Sequence, residues 1–174
     1  MVTLFTALGG EKWLRRRNWG IGHPCENAWE GIACCPVWKP FCLEERRRAR
    51  RQLQAASGDA ISAPLTSDPL CRQAGGLCVI ANMDLSSNNM TGAMASGSSN
   101  ESNPFAGGAL QWVQELDLSN NSLQGVILDS LGALPRLRTL LAENNRFEYA
   151  LTPPEVLRAC AAPFGLTCTG VPQH

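Results

Sequence analysis

The chain has 174 residues, 44% of them hydrophobic, enough for one domain with a core of its own. Its formal net charge is zero but unevenly placed: residues 1–52 hold ten Lys/Arg against five Asp/Glu, and the remainder holds five against ten. No stretch approaches the roughly 18 apolar residues of a membrane span, and eight cysteines favour an oxidising compartment with disulfides over the cytosol.

Residues 1–35 read as a short apolar helix broken at Gly9-Gly10, followed by a loop carrying Trp13, Trp19 and Trp29. MVTLFTALGG lacks the basic n-region and long apolar run of a signal peptide, so the expectation is that targeting information is missing or the chain is a fragment. The order GG-x-x-W, x-x-N-W, PC, W-x-G-I-x-C resembles the N-terminal cap of plant-type leucine-rich repeat proteins and their algal and protist relatives. Trp13, Trp19, Pro24, Cys25, Trp29, Gly31, Ile32 and Cys34 carry the match. The resemblance implies a helical cap that shields the first coil and a disulfide between Cys25 and Cys34. A repeat array needs such a terminal shield, and three tryptophans supply much apolar area. Closing the loop between Cys25 and Cys34 contributes roughly 2–3 kcal/mol in the chain-entropy model.

Residues 36–78 depart from that family as an insertion. CPVWKPFC is followed by LEERRRARRQLQAAS, whose composition favours a helix. Arg46, Arg47, Arg48, Arg50 and Arg51 spread around it, either as a solvated face with Glu44 and Glu45 as intrahelical partners or as a basic patch for anionic partners. No aromatic residues interleave these arginines, which argues against nucleic acid. Cys35, Cys42, Cys71 and Cys78 are expected to form two bridges that pin the insertion, with three connectivities open. The spacing of His23 and the neighbouring cysteines does not match common structural zinc sites, so no metal and no cofactor is expected.

Residues 79–152 repeat one pattern, L-x-x-L-x-L-x-x-N-x-L-x-G-x-I. The best copy places Val113, Leu116, Leu118, Asn121, Leu123, Gly125 and Ile127 on it. Ile80, Met83, Leu85, Asn88, Met90, Gly92 and Met94 form the copy before, and Leu137, Leu140, Ala142, Asn145, Phe147 and Leu151 the copy after. The second spacing is 24 positions (137 − 113) and the first is 33 (113 − 80). The nine-residue excess is read as a flexible loop over about 95–109. Such a period predicts an α/β fold, a short leucine-rich-repeat solenoid with parallel strands on its concave face. Met83, Leu85, Leu116, Leu118 and Leu140 should face inward; Asn88, Asn121 and Asn145 should satisfy turn backbone; Gly92 and Gly125 should sit where a side chain would clash or φ is positive. Tyr149 replaces the glycine in the third copy, and a short helical segment through Leu131 and Leu134 should follow the second. Adding 24 to Leu137 predicts a degenerate fourth coil over 153–174, with Phe164, Leu166 and Val171 inward, Thr169 in place of asparagine, and Cys160 and Cys168 closing a C-terminal cap.

On such a fold the outward strand positions are the candidate binding surface: Ala81, Asn82, Asp84 and Ser86; Gln114, Glu115, Asp117 and Ser119; Arg138, Thr139, Leu141 and Glu143. Asn89, Asn100 and Asn120 are glycosylation acceptors if the chain is secreted. His23 and His174 are the only histidines, and no nucleophile-elbow, Walker or zincin motif is present, so no enzymatic activity is expected. The resemblance implies a non-catalytic extracellular recognition module or membrane-attached receptor-like ectodomain with a protein, peptide or polysaccharide ligand. It leaves open a secreted enzyme inhibitor of the polygalacturonase-inhibiting kind or a wall or matrix component.

Overall fold

A computed structural model describes residues 2–45, 47–48, 67–72, 77–94, 103–105, 108–125, 127, 134–147 and 167–169. Helix α1 (Val2–Ala7) is followed by strands β1 (Ile32–Pro36), β2 (Cys78–Asp84), β3 (Thr91–Met94), β4 (Glu115–Asp117), β5 (Ser122–Gly125), β6 (Thr139–Leu141), β7 (Arg146–Phe147) and β8 (Thr167–Thr169). These make a mixed α/β fold of two ladders. One sheet runs β1-β2-β4-β6-β8 and the other β3-β5-β7. All pairs are parallel except β1 with β2.

The repeat spacing sets the register. Met83 lies beside Leu116, and Leu116 beside Leu140, which are the offsets of 33 and 24 expected from the pattern. The side chains of Met83, Leu85, Leu116, Leu118 and Leu140 are buried between the two ladders with Met90, Met94, Leu123 and Ala142. The expectation for the last strand is corrected. Cys168 lies beside Leu140 and Thr169 beside Leu141, so the step is 28 (168 − 140) rather than 24. Thr169 is a strand residue and not the turn asparagine's substitute; the pairing register, not the preceding period, positions β8. Phe164, Leu166, Val171, Cys160, Tyr149 and Leu131 lie outside the described residues.

Each turn is held by an asparagine amide. Asn121 Nδ2 donates to the carbonyls of Leu85, Leu118 and Ser119, while its Oδ1 accepts the backbone N–H groups of Asn88 and Met90. Asn145 repeats this one unit on, accepting from Leu123 and donating to Leu118, Ala142 and Glu143. Asn88 turns the other way, accepting from Arg15 N–H and donating to the Arg15 carbonyl. One column of amides therefore ties the N-terminal segment to three repeats. The residue before each of them, Ser87, Asn120 or Asn144, has positive φ, a conformation in which asparagine is enriched.

The N-terminal segment closes the end of this core. Trp13 and Trp19 meet edge to face at 4.8 Å, Phe5 lies 5.1 Å from Trp13, and Trp29 lies 4.9 Å from Trp19. All three indole N–H groups of this cluster are satisfied: Trp13 by Leu8, Trp19 by Glu30 and Trp29 by Ile21 carbonyls. Gly92, at φ 123, lets this segment approach, because a Cβ there would stand 2.6 Å from the Ala7 carbonyl oxygen.

Disulfides join Cys25 to Cys34, Cys35 to Cys42 and Cys71 to Cys78. The last two each close a tight loop and do not bridge the two ends of the insertion. The ends meet instead through β1 and β2, where Pro36 pairs with Cys78. The loop expectation also changes in part. Residues 95–102 are outside the description, but Phe105 is fully buried in the core, so the excess between the first two repeats returns an apolar plug to the interior.

Candidate functional site

Alternation along β2, β4 and β6 turns Asn82, Asp84, Glu115, Asp117, Thr139 and Leu141 away from the core. They form the floor of a cavity of about 660 Å³. The N-terminal segment contributes Arg15, Arg17 and Glu30 to its walls, and the insertion contributes Arg47, Ser67 and Arg72. The structure thus brings the insertion and the strand positions together, which their sequence separation does not suggest.

The insertion covers one end of the outward face. Ala33, Cys35, Cys42, Leu43 and Ala81 form a second small buried cluster. Gln114 is correspondingly not available as a contact residue: it is buried, and its Nε2 donates to the Pro40 carbonyl at 2.7 Å. Arg138 pairs with Glu44 at 2.6 Å and lies over the Phe41 ring. Arg47 pairs with Glu115. These contacts correct the intrahelical pairing expected of the insertion, because Glu44 reaches Arg138 and Glu45 reaches Lys39. Residues 42–45 are helical, and Cys42 and Leu43 on that turn are buried, which aims its polar neighbours across the sheet. Arg48 is exposed; Arg46, Arg50 and Arg51 lie outside the described residues.

Within the cavity the charges are partly consumed internally. Arg15 reaches Asp84 Oδ1 at 3.3 Å and also donates to the Asp84 and Ser86 carbonyls. Glu115 takes a hydrogen bond from Asn82 Nδ2 in addition to its ion pair with Arg47. Asp84 and Asp117 repeat one motif, each accepting the hydroxyl and backbone N–H of the serine two residues on, Ser86 and Ser119. Both aspartates therefore close their strand ends, and Asp117 lines the cavity without an ion pair among the described residues. Arg17 and Arg72 are exposed and likewise make no ion pair among the described residues. Glu143 is exposed.

Burial would raise the Asp84 carboxyl, but hydrogen bonds from Ser86 and Arg15, with the Arg15 charge, hold it below the ordinary carboxylate range. A lowered folded-state value stabilises the protein above the unfolded value of about 4 and is lost as pH falls through the folded value. Asp84→Asn is expected to lower the melting temperature at pH 7, with a deficit that shrinks as pH falls below the unfolded value of about 4. A melting curve against pH checks this, and a deficit that persists at the acid end would assign the loss to packing.

Asn89 and Asn120 are exposed; Asn89 donates to the Lys12 carbonyl and Asn120 accepts from Asn144. Asn100 is outside the described residues. His23 is an exposed loop residue whose Nδ1 accepts the Cys25 N–H. Cys25, Cys34, Cys35 and Cys42 are all consumed in disulfides, so they do not serve His23 as fellow metal ligands. Arg15, Arg17, Glu30 and Arg72 are cavity residues that the repeat pattern does not reveal; the only signal is the run Arg15-Arg16-Arg17, two residues after the first tryptophan.

The leucine-rich-repeat family model matches residues 112–134, the segment that carries β4, Asn121 and β5. The chain therefore contains a leucine-rich repeat, a unit that suggests protein binding. No curated protein and no solved structure matches the chain. No helix among the described residues is long and apolar enough to cross a membrane.

Proposed function

We propose that this chain is a short leucine-rich-repeat solenoid, capped at its N-terminus in the plant-type manner, that recognises a protein or peptide on its concave face without catalysis. The observation that carries the reading is the cavity itself, floored by outward positions of three consecutive parallel strands and walled by two elements outside the repeats. Its volume lies within the roughly 300–1,000 Å³ of small-ligand pockets, which suits a short segment of a partner. An extracellular setting is proposed with it, supported by three disulfides. The inhibitor and wall-component readings rest on the family resemblance alone.

The test is selection of a displayed random-peptide library on the disulfide-intact protein. Enriched peptides are expected to bind Asp117→Arg about tenfold more weakly or worse, since the substitution both reverses charge and fills the floor. Peptides indifferent to Asp117→Arg, with the melting temperature of the variant unchanged, would move recognition away from this face.

A further inference from the structure

The charges that line the cavity do not cancel uniformly across it. Arg15 is held by Asp84, and Arg47 by Glu115, which removes both pairs from competition for a ligand. Among the described residues two guanidiniums, Arg17 and Arg72, remain. Both stand on the same wall. The Arg17 carbonyl accepts the Glu30 N–H just before β1, and the segment that leads into Arg72 is anchored on β1 by two bonds, from Asp68 N–H to the Cys34 carbonyl and from Cys34 N–H to Ser67 Oγ. Because β1 is the edge strand, this wall lies outside it. Glu30 shares the wall, its Oε2 held by the Arg17 backbone N–H, so the wall carries a net single positive charge. On the far side, Asp117 of β4 and Thr139 of β6, a carboxylate and a hydroxyl side chain, line the cavity.

Strands in a sheet are about 4.8 Å apart. From β1 to β4 is two strand steps, so the β1 edge, beside which Arg17 and Arg72 line the cavity, lies about 10 Å from Asp117. An extended peptide advances about 3.3 Å per residue and covers that gap in about three residues. Resting on the peptide-recognition reading above, we infer that the cavity takes a dipolar peptide segment. An aspartate or glutamate side chain of the ligand meets Arg17 and Arg72, and a lysine or arginine two to three residues away meets Asp117. A peptide is favoured over an acidic polysaccharide because Trp29, the aromatic residue in the lining, is buried in the tryptophan cluster and offers no ring face for a sugar to stack on.

The experiment uses the same displayed random-peptide selection, followed by synthetic peptides and the double variant Arg17→Gln/Arg72→Gln. Both arginines are exposed and unpaired among the described residues, so the variant should melt with the parent. Enriched peptides are expected to share an acidic and a basic residue two to three positions apart. Binding should weaken about tenfold in the double variant, and Arg17→Glu/Arg72→Glu should recover affinity for peptides whose acid is changed to lysine. Enriched peptides without an acidic residue, or acidic peptides that bind the double variant equally well, would overturn the inference while leaving peptide recognition intact. No enriched peptide at all, with polygalacturonate binding instead, would overturn both.

Discussion

Replacing Asn121 by alanine is expected to lower the unfolding free energy by about 3 kcal/mol or more. The amide satisfies five backbone groups in two repeats, and a buried group left without its partner loses about 1–3 kcal/mol. Some of those groups would find water, so the losses do not simply sum. Asn145 accepts only one backbone N–H and Asn88 makes a single exchange with Arg15, which gives the expected order Asn121, then Asn145, then Asn88. Asn120→Ala is the control, because Asn120 is exposed and its side chain meets only Asn144; surface changes of that kind stay within about 0.5 kcal/mol, apart from the positive φ that alanine tolerates less well. Urea unfolding of the four proteins decides it. A loss below about 1 kcal/mol for Asn121→Ala would mean that the turns are held by the strand ladders and not by the amide column.

The contrast between Asn120 and Asn121 explains what the sequence could reveal. The L-x-x-L-x-L-x-x-N spacing announces which residues must be buried, because a strand alternates its faces and each coil must stack on the last. Leu116 and Leu140 follow directly. In the second and third repeats the second asparagine of the doublet, Asn121 or Asn145, reads as a turn amide for the same reason. The function of the first, a left-handed backbone position, was equally available in the residue type, since asparagine tolerates positive φ. The β3-β5-β7 ladder was less visible. Thr91–Met94 and Ser122–Gly125 are short, and a glycine in each weakens the strand signal.

The candidate site was legible only where it belongs to the repeats. Asn82, Asp84, Glu115, Asp117 and Thr139 follow from period and alternation. Arg17 and Arg72 do not, because what brings them to one wall is the edge of β1, an antiparallel strand built around Cys34 and Cys35 and lacking a repeat counterpart. Gln114 is the converse case. Periodicity puts it on the exposed face, and it is buried because Pro40, from an insertion with no periodic relation to the repeats, lies over it. The acidic strip also changes character. Glu115 and Asp117 both charge the middle repeat, yet Arg47 and Asn82 already occupy Glu115, so Asp117 is the carboxylate that lines the cavity without an ion pair among the described residues.

Trp13→Ala should be the other severe change, at about 4 kcal/mol, within the range for truncating a buried aromatic side chain. Its ring lies against Phe5 and Trp19, and its N–H holds the Leu8 carbonyl at 2.8 Å. The loss would reach the repeats because Leu14 and Arg15, the next two residues, donate backbone N–H groups to Asn88. Trp13→Phe keeps most of the apolar area but abandons the Leu8 carbonyl, so its expected effect is about 1–2 kcal/mol. Hydrogen exchange separates two ways in which the alanine variant could fail. If the N-terminal segment and the repeats form one cooperative unit, the amides of Leu118 and Asn120, which bond to the third repeat, lose protection together with those of Trp13 and Trp19. If protection falls only over residues 4–35 while Leu118 and Asn120 keep theirs, the segment opens by itself as a local unit. A denaturation midpoint indistinguishable from the parent would deny the tryptophan cluster its role in shielding the end of the core, because the cavity left by an indole cannot be neutral in a packed interior.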